Sequence, residues 1–270
     1  MAVGPRSGIV PDPSVVPSGH ASPWFNGDRR PEEVALKVRD LRFDAPLYTV
    51  AEAARIVDVH PPTLTTWVKG YHRQPAGRPA VVGAPIVTFI EPDRHGEPGI
   101  PFVGLAEAMV LAAVRRSGVS MQRIRPALAR LADHIGIEHA LASEKLYTDG
   151  ADLLFDFGEV GGGDGIDDLV VVRNGQRIFV EVVRDYLQRI RYASDGYAEL
   201  IHVPAYRHAD VVVDPTRQFG APIFERSGVR VDDVLDRFWA GESIDDLDDE
   251  FGVPASALED VVRVASRRAA

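Results

Sequence analysis

From Val231 to Ala265 the apolar residues fall into three successive helical phases with almost no chain between them. Val231, Val234, Leu235, Phe238 and Trp239 stand at i, i+3, i+4, i+7 and i+8, one face of a helix. Gly241 ends that helix as a residue that accepts a left-handed turn. Ser243 offers an N-cap with Asp246 three positions on, the spacing of a capping box, and Ile244, Leu247 and Phe251 carry the second apolar face. Gly252 stops that helix and Pro254 suits the first turn of a third, whose buried side is Leu258, Val261, Val262 and Ala265.

A helix pair is also written into Leu47–Gly70. Thr49 and Glu52 form a second capping-box pair, and Ala51 and Ala54 are small enough for another helix to cross closely. Val57-Asp58-Val59 makes the turn, His60 is placed as N-cap and Pro61 as first-turn residue. With Leu64, Trp67 and Val68 inward, Pro62, Thr63, Thr65, Thr66 and Lys69 face out. A helix-turn-helix inserts this outward face of its second helix into the DNA major groove. The alternative is a pair that only builds a core or a dimer.

Elsewhere the pattern predicts a short helix over 31–42, a strand over Ile86–Ile90 in a wing-like hairpin, and helices over Leu105–Arg116 and Ser120–Ile135, the latter kinked at Pro126. The period then changes. Leu153–Phe157, Leu169–Val172, Arg177–Val183, Leu187–Tyr192, Ala198–Val203 and Val211–Val213 read as strands, with type I′ signals at Asn174-Gly175 and Asp195-Gly196. The expected fold is α+β. A disordered leader over 1–44 precedes a winged helix-turn-helix over 45–136. An antiparallel β unit over 137–213 and an acidic three-helix, helix-turn-helix-like module over 214–270 complete it.

Charge changes the picture. The net charge of −10 hides an asymmetry: residues 1–150 hold 17 Lys+Arg against 16 Asp+Glu, and residues 151–270 hold 13 against 24. Lys69–Arg130 carries nine basic residues to four acidic. A basic patch ahead of an acidic tail puts any nucleic-acid contact in the front half. Lys69, His72, Arg73 and Arg78 would add to the threonine face there. From Glu225 to Asp260 twelve acids face three arginines, so that module repels a phosphate backbone and suits a protein partner instead, a solvated face being the plain alternative. With no cysteine, disulfides and thiolate zinc sites are excluded. No apolar run reaches the roughly 18 residues needed to span a membrane, and no signal-peptide pattern opens the chain, so a cytoplasmic location is expected.

Enzymatic constellations are weak. Gly161-Gly162-Gly163-Asp164-Gly165 lacks the Gly-Lys-Ser/Thr of a phosphate loop and reads as a flexible hairpin loop. Asp164, Asp167 and Asp168 lack calcium-loop spacing. His202 and His208 lie six apart, and Glu181 with Asp185 reads as an exposed strand end. The expectation is no enzyme, no cofactor and no metal.

Two resemblances join this reading. Leu47–Gly70 resembles the opening helix pair of MerR-type regulators in Thr49, Glu52, Ala54, Leu64 and Trp67, and departs from it at Pro62, Thr65 and Thr66, where those regulators usually carry arginine. Val211–Ala265 resembles the family called domain of unknown function 433, through Asp214-Pro215, Phe219-Gly220, Pro222, Gly228, Ala240–Ser243 and Phe251–Val253. Gly118–Gly136 and Asn174–Gln176 resemble its longer members, so the likeness covers about 45–267. The resemblance implies a VapB-like antitoxin, a PIN-like ribonuclease toxin as partner, operator double-stranded DNA as ligand, and a homodimer. The DNA-facing residues would be Thr63, Thr65, Thr66, Lys69, His72, Arg73 and Arg78, and the toxin-facing ones Asp232, Asp236, Asp245, Asp248, Asp249, Arg263 and Arg267. Arg263, Arg267 and Arg268 form either a tail that enters a carboxylate-lined active site or simply a cationic helix end. A regulator that senses a small ligand is the alternative to an antitoxin.

Overall fold

In the computed structural model, the described residues are 40–74, 80–118, 136–146 and 182–269, with Met121, Arg125 and Leu128. The readings that fall on 1–39, 75–79, most of 119–135 and 147–181 lie outside them.

The helix pair forms as its caps dictate. In α1 (Val50–Ile56) the Thr49 hydroxyl accepts the Glu52 amide at 3.2 Å and the Glu52 carboxylate accepts the Thr49 amide at 2.8 Å. Ala53 and Ala54 are buried at the crossing, whereas Ala51 is exposed. Asp58 takes a left-handed φ of 55° at the turn, where Arg116 donates to its carbonyl (2.8 Å) and its carboxylate (2.7 Å). Helix α2 (Pro61–Val68) buries Leu64, Trp67 and Val68, and His60 caps it by position without a side-chain bond.

The wing is the antiparallel hairpin of β1 (Tyr71–Arg73) and β2 (Val81–Gly83), which pairs His72 with Val82. Gly70 enters it at φ +70°, and a Cβ there would meet the Gly83 carbonyl at 2.3 Å, so only glycine fits. The strand expected over Ile86–Ile90 is extended chain without a neighbouring strand. The Ile86 amide bonds to the Trp67 carbonyl at the end of α2, and that of Ile90 to Gly99.

Helix α3 (Phe102–Arg116) begins three residues before its expected start and is buried on every side from Phe102 to Val114. A buried carboxylate on such a helix needs partners. Glu107 accepts the Thr88 amide at 2.6 Å and the Thr88 hydroxyl at 3.1 Å, and lies 3.0 Å from His139 Nδ1. The hydrogen bond to Glu107 raises the His139 pKa above its ordinary value, against the opposing effect of burial. The stability this pair supplies is therefore complete below the unfolded histidine value of about 6.5 and is lost as pH rises through the raised folded value. His139→Asn keeps a residue that tolerates its φ of 54° and removes the charge. Wild-type stability is expected to fall as pH rises from below about 6.5 through the raised folded value, with that step absent in the variant, read from denaturant midpoints across pH.

The β unit is a four-stranded antiparallel meander, β3 (Ile190–Tyr192), β4 (Ala198–His202), β5 (Val211–Val213) and β6 (Ile223–Phe224), in spatial order 3-4-5-6. Three expectations change here. Residues 182–187 are helical, not strand, because Val183, Tyr186 and Leu187 fall at i, i+3 and i+4 and turn one face to the core. The β3–β4 turn is not type I′, which needs two left-handed residues: only Gly196 has positive φ, and its amide closes back onto the Ala193 carbonyl at 2.9 Å. Strand β6 lies in what reads as linker, so the expected boundary between 213 and 214 falls inside one sheet.

The three terminal helices are α4 (Val231–Trp239), α5 (Ile244–Phe251) and α6 (Ala255–Ala269). Gly241 (φ 105°) and Gly252 (φ 61°) end the first two as expected. Ser243 accepts the Asp246 amide at 3.1 Å, but the shorter aspartate answers to the Ser243 hydroxyl at 2.6 Å, so the reciprocal leg of a capping box is replaced. One contiguous core runs from Tyr48 to Val261 and includes Trp67, Met109, Ile201, Val234 and Leu258. The helix pair, the sheet and the terminal helices share it, as parts of the compact unit Arg39–Ala270. No helix among the described residues is long and apolar enough to cross a membrane.

Candidate functional site

Two surfaces carry the residues singled out by sequence. On α2, Thr65 is exposed and Thr63 and Thr66 are half-buried. The Thr65 and Thr66 hydroxyls donate back to the Pro61 (2.9 Å) and Thr63 (2.7 Å) carbonyls, which leaves their oxygens free only to accept. Lys69 is anchored, 3.5 Å from Glu91 and 5.6 Å from the centroid of the Phe89 ring. His72 is exposed on β1, Arg73 lies on the same strand, and Arg78 lies outside the described residues.

Two arginines that periodicity does not single out complete this face. Arg115, exposed at the end of α3, puts its Nη1 3.3 Å from the Thr63 hydroxyl, at the start of α2. Arg125 donates to the carbonyls of Ala84 and Thr66 and lies over the Tyr71 ring, clipping the wing to α2. The only sequence signal for them is the local basic surplus; the placement of Arg115 depends on the end of α3 lying beside the start of α2.

On the terminal helices Asp232, Asp236, Asp245 and Asp249 are exposed. Asp248 has an internal duty, accepting the Ala255 amide at 3.1 Å and so capping α6. Arg263 pairs with Asp260 at 3.2 Å, while Arg267 is exposed. Arg268 donates to the Arg55 carbonyl at 2.9 Å, tying the last turn of α6 to α1. Truncation after Val264 would remove that tie as well as the basic end, so it does not isolate the tail's charge.

Asp260 is 2% exposed, although its sequence places it in the acidic face. Its Oδ2 accepts the amides of Arg207 (2.7 Å), His208 (2.7 Å) and Ala209 (3.1 Å) in the β4–β5 loop, a nest of successive backbone donors. On the sheet, His202, Asp210 and Glu225 bring one donor atom each within 4.8 Å of one another, a set able to hold a divalent cation. His202 Nδ1 lies 2.9 Å from Asp210, and Arg191 already stands 3.5 Å from Glu225 as a counter-cation. His208 is not in that set, and Asp185 is exposed on the helical segment rather than at a strand end. Glu181 and the Gly161–Gly165 loop lie outside the described residues.

Comparison with known proteins finds a match at each end of the described chain and similar proteins over most of its length. Residues 46–128 match a family described as "Putative DNA-binding HTH domain", and residues 211–264 match "Protein of unknown function (DUF433)". The chain is similar to the Mycobacterium tuberculosis protein named "Putative antitoxin VapB45", 49% identical over 228 residues, spanning 83% of this chain and 95% of that protein. It is also similar to the uncharacterized protein Rv2308 of the same organism, 24% identical over 81% of this chain and 90% of that one. The X-ray crystal structure of Rv2018 from M. tuberculosis superposes with a TM-score of 0.66 at 41% identity, covering 82% of this chain and 100% of that one.

Proposed function

The chain belongs to the VapB45-like antitoxin family, and on that premise we propose that it is a cytoplasmic antitoxin of a type II toxin–antitoxin system that binds its toxin directly and represses its own operon. The observation that carries this reading is the division of charge over one core. Arg115 and Lys69 stand beside the outward face of α2, and exposed acids cover α4 and α5. The α2 face and the β1–β2 wing meet operator DNA, as a MerR-like dimer would, with threonine methyls and hydroxyls at the bases and the basic residues at phosphates. The acidic helices hold a PIN-like ribonuclease and occlude its active site. The antitoxin performs no chemistry of its own.

Two measurements test the two halves. Co-expression with the adjoining gene product is expected to yield a stable complex. Electrophoretic shift on the chain's own upstream DNA is expected at low salt, with a log–log salt slope of about −0.9 per phosphate neutralised. No shift at low salt, with or without the toxin, rejects repression and leaves the antitoxin half standing.

A further inference from the structure

A groove of about 740 Å³ runs between the helix pair and the terminal helices, lined by α1, α4, the end of α6 and the turn at Gln218–Gly220. Four large apolar side chains are exposed among the described residues, and two of them, Phe219 (88%) and Trp239 (57%), stand at this groove. Paired exposed aromatics at a concave surface mark recognition sites.

The backbone holds Phe219 there against its own preference. Gln218 and Phe219 have φ of 47° and 53°, a conformation side-chain-bearing residues rarely adopt, and Gly220 follows at 77°. Strain of this kind persists where function uses the exposed group. Beneath the turn, the Tyr48 hydroxyl is buried and has no hydrogen-bond partner. Tyr48 borders the groove, and its hydroxyl sits 2.3 Å from where a Cβ on Gly220 would fall, so only glycine fits the end of this turn.

Charge decides what kind of guest fits. Arg268 is engaged by the Arg55 carbonyl, and Arg230 lies 4.0 Å from both Asp232 and Asp233. Asp236, at the rim, has no side-chain partner among the described residues, and the acids of α5 extend the negative surface beyond it. An enclosed small-molecule pocket would sequester its aromatics, whereas Phe219 stands almost wholly in solvent. We propose that this groove seats a segment of the protein partner in which an aromatic or large aliphatic anchor, flanked by lysine or arginine, packs between Phe219 and Trp239 and meets Asp232 and Asp236. The proposal rests on the antitoxin reading and adds the place of contact. It also puts the guest against α1, so that toxin occupancy bears directly on the DNA-facing helix pair.

The test uses the full chain co-purified with the adjoining gene product. Phe219→Ala/Trp239→Ala and Asp232→Lys/Asp236→Lys are each expected to weaken the complex at least about 100-fold by surface plasmon resonance, with each variant still folded by circular dichroism. Asp93→Lys/Asp185→Lys, at exposed acids that lie on neither acidic helix nor in the groove, is expected to change affinity less than about three-fold. Wild-type affinity in the aromatic variant overturns the groove while leaving the antitoxin reading intact. A wild-type pair that never associates overturns that reading itself, and the groove assignment with it. If the aromatic variant instead shifts the free chain from dimer to monomer in sedimentation velocity and spares the complex, the groove joins two copies and the proposal fails.

Discussion

Replacing Asp260 with alanine is expected to lower the stability of the folded chain by about 3 kcal/mol, a fall in Tm of roughly 6–12 °C. The residue is 2% exposed, and one of its oxygens accepts three backbone amides while the other faces Arg263. Removing it leaves three loop donors without their acceptor and Arg263 without its partner. Burial alone would raise the Asp260 pKa. The amides of His208, Ala209 and Arg207, with Arg263, more than offset it and hold the carboxyl below its ordinary value. The sign follows: this stability is present above the unfolded aspartate value of about 3.9 and is lost as pH falls through the lower folded value. Asp260→Asn separates charge from shape. It is expected to lose about 2 kcal/mol near neutral pH and to flatten the acid limb of the stability profile. If Asp260→Ala unfolds at the wild-type midpoint, the nest contributes nothing and α6 is held by its apolar face alone; an unchanged midpoint in Asp260→Asn only would show that the acceptor and not its charge matters.

Asp260 also shows where sequence reading reaches its limit. The three terminal helices are legible because each is amphipathic and the first two are ended by glycine, both of them local signals. The helix pair is legible for the same reason, down to the Thr49–Glu52 cap. What is not legible depends on contacts across the chain. Asp260 finds its donors about fifty residues away and so changes from a surface charge to a buried anchor. Strand β6 is two residues long and is defined by its pairing with β5 and a bridge to Arg230. The 182–187 helix sits in an apolar stretch where strand and helix periods compete until a core selects one face. The DNA-facing surface divides likewise. Its threonines follow from the phase of α2, but Arg115 reaches Thr63 only because the end of α3 lies beside the start of α2.

Arg115→Glu is accordingly expected to weaken operator binding about 100-fold at low salt and to lower the magnitude of the log–log salt slope by about 0.9 for each phosphate no longer neutralised. The free amides of a helix's first turn can bind the phosphate backbone. Here Pro61 and Pro62 occupy the first two positions and have no N–H to donate. Lys69 is drawn toward Glu91, so the exposed guanidinium of Arg115, 3.3 Å from the Thr63 hydroxyl, is the cation best placed at that helix start. Arg115→Lys keeps the charge and is expected to lose less than about ten-fold, the cost of replacing a forked donor with a point charge. Arg116→Glu is the contrasting control. Its guanidinium clamps the carbonyl and carboxylate of Asp58, so its removal should appear first as a lower Tm. Wild-type affinity and an unchanged salt slope in Arg115→Glu would mean that phosphate recognition belongs to the wing, where His72 and Arg73 would then be the residues to replace.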